Sequence, residues 1–134
     1  MTEPSGLPQS LDGRIEAIEQ AYELMLAYAA QGRRDDTDES GSIRRFLRRA
    51  EAALDGLAAC VSDHLADQGE AYADFIAVLA DDARRSRAAL RLVLAQPALS
   101  SQLIDNLNAS IHVRALLTDI FLIDEARKGG QGDG

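Results

Sequence analysis

Apolar residues recur at spacings of three and four along four successive segments of the chain. Side chains at these spacings lie on one face of an α-helix, so each segment predicts an amphipathic helix. The first stripe runs from Leu11 to Ala29, with Ser10 as its N-cap and Gly32 as a C-terminal stop. The first helix is therefore predicted over about 11–31.

The second and third helices follow from two more stripes of the same kind. The second is predicted over about 43–67, with Ser42 as its N-cap. The third begins near Tyr72, and Pro97 ends it. Because only the residues DQG separate the two stripes, these helices are expected to lie antiparallel as neighbours.

The fourth helix is predicted from near Leu99 or Ser101 to about Lys128. Its middle, NLNASIHVR, is more polar than its ends, so a kink or break is expected near Asn108 to Ser110. The GGQGDG tail that follows has a composition typical of disordered segments.

Four helical segments of similar length predict an all-α fold, specifically an antiparallel four-helix bundle. A chain of 134 residues is long enough for one domain of ordinary size. We expect a flexible tail over 1–10, the bundle over 11–128 and a disordered tail over 129–134. The acidic stretch from Arg33 to Ser42 has no apolar residue and is expected to be a mobile loop.

The composition argues against several classes of function. A formal net charge of −8 disfavours binding to nucleic acids and to anionic membranes. No apolar run approaches the roughly 20 residues of a spanning helix, and the start MTEPSGLPQS lacks the features of a signal peptide. The one cysteine cannot form an internal disulfide. We therefore expect a cytoplasmic protein without a cofactor that binds neither nucleic acid nor membrane.

The sequence CVSDH places Cys60 four residues before His64, so the two side chains could share a helix face. They would supply two metal ligands, whereas a closed zinc site needs four, and His112 lies in another predicted helix. An acidic neighbour, Asp63, does not favour an activated thiolate. We interpret the pair as a buried thiol and a histidine near a helix end, with a ligand or metal site as the alternative.

Arginines crowd the start of the second helix, where the helix dipole disfavours positive charge. The cluster consists of Arg44, Arg45, Arg48 and Arg49. Two kinds of compensation are open. One is local, from the acidic residues over 35–39 and from Glu16, Glu19 and Glu23 of the first helix. The other is an anionic partner.

The third helix raises two further questions. Its own basic cluster consists of Arg84, Arg85, Arg87 and Arg91. Since Asp81 and Asp82 precede this cluster, we interpret it as a solvated face. Small residues at Ala83 and Ser86 interrupt the apolar stripe, which predicts close helix approach or, alternatively, a pocket for a small apolar ligand.

The segment LLTDIFLID over 116–124 gives the strongest indication of association. Its apolar residues occupy more of the helix circumference than one core-facing stripe requires. The candidates for an exposed interface are Leu116, Ile120, Phe121, Leu122 and Ile123. A surplus apolar face must be covered by the chain itself, by a second copy or by another protein.

These patterns favour a small helical protein that acts through protein–protein contact, as an accessory, adaptor or assembly factor, rather than an enzyme. The alternative is a ligand- or metal-binding bundle that uses the Cys60 and His64 region or the small-residue centre of the third helix.

Overall fold

The structure, a computed structural model, describes residues 10–32 and 41–132. Regular structure in these ranges is entirely helical. The six α-helices are α1 (Leu11–Ala29), α2 (Gly41–Leu54), α3 (Leu57–Leu65), α4 (Glu70–Leu94), α5 (Ser101–Asn108) and α6 (Ile111–Gly132). A single 3-10 turn over Ala66–Gln68 joins α3 to α4. The predictions for the tail over 1–9 and the acidic loop over 33–40 lie outside the described residues.

Helix α1 begins at the predicted N-cap. The hydroxyl of Ser10 accepts a hydrogen bond from the Gly13 amide at 3.0 Å, which satisfies one of the free donors of the first turn. At the other end, Tyr28 donates its hydroxyl hydrogen to the Leu99 carbonyl, and the Ser101 hydroxyl donates to the Tyr28 carbonyl at 2.8 Å. These buried bonds fix the end of α1 to the start of α5.

The prediction of one continuous second helix is wrong, because residues 55–56 separate α2 from α3. Gly56 has a φ of +90°, a left-handed conformation that costs other residues free energy. Arg14 of α1 bonds the carbonyls at this helix end. Its Nη1 donates to the carbonyls of Ala53 at 2.9 Å and Asp55 at 2.8 Å. A side chain distant in sequence therefore stabilises the break.

Other helix boundaries differ from the sequence prediction by small amounts. Helix α2 begins at Gly41, so Ser42 lies inside the helix and is not its N-cap. The interruption predicted near Asn108 to Ser110 is confirmed, since α5 and α6 are separate helices. Helix α6 continues to Gly132, past the predicted end at Lys128.

One apolar cluster unites the described helices. Helix α1 packs against α2 and α5, while α4 packs against α2, α3 and α6. The largest fully buried apolar side chains are Ile43, Leu47, Leu57, Leu79, Leu99, Ile104, Ile120 and Val61. They come from α2, α3, α4, α5, α6 and the segment before α5, so each of these elements depends on the others for burial of its apolar face.

Ion pairs join the C-terminal half of α6 to α1. Arg127 is only 16% exposed and pairs with Asp12 of α1 and, at 2.8 Å, with Asp124 of its own helix. Glu19 of α1 lies near Asp124 and Lys128. Glu19 therefore lies near α6. The suggestion that Glu16, Glu19 and Glu23 compensate the arginines of α2 stays a prediction.

Candidate functional site

The CVSDH segment forms most of the second half of α3. The Nδ1 atom of His64 lies 2.9 Å from the Cys60 carbonyl oxygen, so the imidazole bonds to the backbone of its own helix. His64 is exposed, and Cys60 is half-buried against the apolar core. Within the described residues, no group of three or more histidine, cysteine or acidic side chains could hold a metal. This geometry favours a structural histidine at a helix end, although the thiol is less buried than predicted.

The first arginine cluster is compensated partly by an end of α4. Arg44 donates to the carbonyls of Leu94 at 3.2 Å, Gln96 at 2.8 Å and Pro97 at 3.1 Å. The last carbonyls of a helix lack partners inside the helix and carry its negative dipole end. Arg44 therefore occupies a position at which the fold itself requires a cation.

The other members of the first cluster divide into a bonded and an exposed group. Arg49 donates to the Gln20 side-chain oxygen of α1 at 3.2 Å. Arg45 and Arg48 are exposed, and the Arg45 guanidinium carbon lies 5.9 Å from the centroid of the Phe46 ring. The acidic residues over 35–39, which were expected to compensate this cluster, lie outside the described residues.

The second arginine cluster is mostly paired. Arg84 and Arg85 both contact Asp81, at 2.7 Å and 3.1 Å. Arg87 crosses to α2 and contacts Glu51 at 2.6 Å. The first two pairs belong to a solvated face, as the sequence indicates, whereas the third also joins two helices.

A groove of about 340 Å³ lies beside the break between α2 and α3. Its lining includes alanines of α3 and α4 together with Arg84, Arg87 and Arg91. Because Arg84 and Arg87 already contact carboxylates, Arg91 is the remaining arginine at this groove without an ion pair among the described residues. The groove therefore offers little positive charge to an anionic ligand.

The small-residue centre of α4 is packed closely. Ala83 and Ser86 are buried, and the Ser86 hydroxyl donates to the His112 carbonyl at 2.9 Å. The adjoining cavity measures about 30 Å³. An apolar cavity that binds benzene has a volume on the order of 150 Å³. This size favours close helix approach over a ligand pocket.

The apolar residues of the LLTDIFLID segment divide between core and solvent. Leu116, Ile120 and Ile123 are 1–3% exposed and belong to the core, which corrects the expectation that they form an exposed interface. Phe121 and Leu122 are 54% and 55% exposed. The surplus apolar face predicted from the sequence is therefore reduced to these two side chains.

Leu122 borders an apolar groove between α4 and α6, which we call the α4–α6 groove. Its volume is about 300 Å³, and it is lined by Ala71, Tyr72, Phe75, Leu122, Ile123 and Ala126. Val78, one helical turn from Phe75 on α4, is 48% exposed. Apart from the Tyr72 hydroxyl, the lining side chains carry no polar group.

A pair of carboxyl groups lies between the same two helices. Asp119 of α6 is 6% exposed, and Asp82 of α4 lies close enough to it to act on its pKa. Its Oδ2 atom has no hydrogen-bond partner among the described residues. Burial, followed by the hydrogen bond and the charge of Asp82, raises the pKa of Asp119 to about 7.

This carboxyl pair was not predicted from the sequence. The available signal was helical spacing, because Asp119 lies three residues after Leu116 and four before Ile123, both of which are core residues. A charged residue on the same face as two core positions indicates a buried carboxyl.

In the ranges 10–32 and 41–132, no helix combines the length and apolar character needed to cross a membrane. Comparisons of the chain with protein families, with curated proteins and with solved structures found no match. Function must therefore be inferred from the surfaces and sites described above.

Proposed function

We propose that this protein acts through protein–protein contact, as an accessory, adaptor or assembly factor, and that the α4–α6 groove is its contact surface. One observation carries the proposal: Leu122 and Val78 are about half exposed at or next to a groove lined by apolar side chains. The partner is another protein or a second copy of the chain, and the expected location is the cytoplasm.

The energetics require a contact that extends over both helices. Burying a leucine or valine side chain completely contributes about 1.5–3 kcal/mol, and about half of Leu122 and of Val78 is already buried. These two residues would therefore contribute about 1.5–3 kcal/mol together, before the costs of association. A micromolar complex needs about 8 kcal/mol, so the α4 wall with Tyr72 and Phe75 must contribute as well.

The charge around the groove favours a neutral or basic partner surface over an acidic one. Asp74 of α4 and Glu125 of α6 are exposed and adjoin groove residues in sequence. Across an interface, like charges disfavour association and opposite charges accelerate it. The chain as a whole carries a net charge of −8, which acts in the same direction.

We infer further that the six helices form an antiparallel four-helix bundle, in which α2 with α3, and α5 with α6, are two broken rods. The packing of α1 on α2, of α2 on α4 and of α4 on α6 supports this arrangement. The ion pair between Arg127 and Asp12 links α6 to α1 and closes the ring. The alternative of a ligand- or metal-binding bundle has less support, given the 30 Å³ cavity and the backbone bond of His64.

The test compares two leucine-to-glutamate variants. Leu122→Glu places a charge on α6 at the groove. Leu92→Glu is the control, because it places the same charge on α4 at a leucine that is 67% exposed and lies outside the groove lining. We expect Leu122→Glu to lose self-association in light scattering, or its partner in a pull-down, while Leu92→Glu behaves like the wild type. Unchanged mass and partners in a folded Leu122→Glu protein would show that the α4–α6 groove is not the contact surface.

A further inference from the structure

We propose that Asp82 and Asp119 form a proton-dependent contact between α4 and α6, and that loss of the shared proton as the pH rises weakens the packing of α6 on α4. This contact between the two aspartates is a property of the fold and does not depend on the proposed protein–protein contact.

The geometry makes the protonated pair the stable arrangement. Asp119 is 6% exposed and lies on the same face of α6 as the core residues Leu116 and Ile123. Two ionised carboxylates at this position would place like charges side by side with little solvent to screen them. A single proton converts the repulsion into a hydrogen bond, because a protonated carboxyl donates and an ionised one accepts.

No basic side chain replaces this proton within the described residues. The nearest arginines on α4, Arg84 and Arg85, contact Asp81 instead. Asp82 is the one charged group that acts on the pKa of Asp119, and after burial it is the cause that raises this pKa to about 7. The Oδ2 atom of Asp119 also lacks a hydrogen-bond donor among the described residues.

The charged groups on the elements packed against α4 and α6 are exposed or bonded to other residues. On α2, α3 and α5 they include Glu51, which pairs with Arg87, and the exposed residues Asp63, His64 and Asp105. On α6 they are His112 and Arg114, both exposed, Glu125, also exposed, and Asp124, which pairs with Arg127 and Lys128.

The direction of the pH effect follows from proton linkage. The pKa of Asp119 is raised from an ordinary value of 3.8 to about 7, so between these values the folded chain binds more protons than the unfolded chain. The stabilisation is complete near the lower value and is lost as the pH rises through the upper one. Inside this window the unfolding equilibrium constant should rise by up to about tenfold per pH unit for one proton.

The experiment measures urea unfolding of the full chain at pH 5, 6, 7 and 8 for the wild type and two variants. Asp119→Asn keeps the shape of the side chain and removes its ionisation. Asp74→Asn makes the same chemical change at an exposed aspartate of α4 and serves as the matched control. We expect the wild type and Asp74→Asn to lose stability steeply from pH 5 to 7, and Asp119→Asn to lose much less. His64 and His112 are present in all three proteins, so they cannot produce the difference.

A second measurement tests the local part of the proposal and does not require a variant that folds. In a carboxyl-detected NMR titration of the wild type, one aspartate should titrate near pH 7. Amide exchange, corrected for its intrinsic pH dependence, should show protection falling first in α6 between pH 6 and 8, with α1 less affected. A wild type without such a carboxyl, an Asp119→Asn protein with the wild-type slope, or equal loss of protection in α1 and α6 would each overturn the proposal.

Discussion

Arg44 allows the structural and the functional interpretation of the first arginine cluster to be separated. Its guanidinium donates to three carbonyls at and beyond the end of α4, so we expect Arg44→Lys to destabilise the protein although the positive charge is retained. Arg48→Lys is the matched control, because Arg48 lies one helical turn away on α2 and is exposed. This control should have almost no effect.

The magnitude follows from the number of hydrogen bonds that lysine cannot replace. A compact ammonium group reaches one or two of three carbonyls in a fixed arrangement, so one or two of the bonds of Arg44 are lost. A typical net contribution is about 0.5–1.5 kcal/mol per bond, and the value here belongs in the lower half because the site is partly exposed. We therefore expect a loss of about 0.5–2 kcal/mol, or a decrease in Tm of roughly 2–7 °C for a chain of this size.

The assay is urea unfolding of the wild type, Arg44→Lys and Arg48→Lys, followed by far-ultraviolet circular dichroism, which reports helix content. Equal midpoints for the two variants would refute the assignment of Arg44 to the end of α4. If in addition only Arg44→Lys impaired partner binding, the cluster would be an anion-binding surface.

Three further substitutions test two glycines of positive φ and one buried hydroxyl. Gly56→Ala should destabilise the fold by about 1–2 kcal/mol in the same unfolding assay, because its φ of +90° is strained for any residue with a Cβ, while the nearest side-chain atoms of Arg14, at 3.6 Å, leave room for a methyl group. Gly69→Ala, at a positive φ with no neighbour within 4 Å, should cost a similar amount and would contradict the argument if it cost nothing. Ser86→Ala should cost about 1 kcal/mol, because the His112 carbonyl loses its buried hydroxyl donor; an unchanged stability would indicate that another donor bonds this carbonyl.

The apolar stripes predicted the helical class but not the break at Gly56. Leu54, Leu57 and Val61 continue the spacing of three and four through this glycine, and all three are buried. An isolated glycine inside such a pattern is tolerated in many helices. The break depends on Arg14, whose position relative to α2 is a tertiary property that periodicity does not contain. The break between α5 and α6 could be predicted because its own residues are polar.

Candidate site residues were harder to predict than helices. Around the circumference of α6, apolar residues occupy several adjacent stripes, so spacing alone could not separate the buried Ile120 and Ile123 from the exposed Phe121 and Leu122. Which of these side chains are buried depends on the helices that pack against α6, α4 above all. Asp119 was missed for the related reason that a single acidic residue in an apolar segment reads as exposed until its neighbours are known.

The bonds of Arg14 and Arg44 have a consequence for cooperativity. Helix ends ordinarily fray, because their last carbonyls can exchange partners with water at little cost. Here the ends of α2 and α4 are held by side chains 39 to 53 residues away in sequence. Neither end can open without releasing a contact between distant parts of the chain. Two positions that would otherwise be local weak points are thereby coupled to the unfolding of the whole protein.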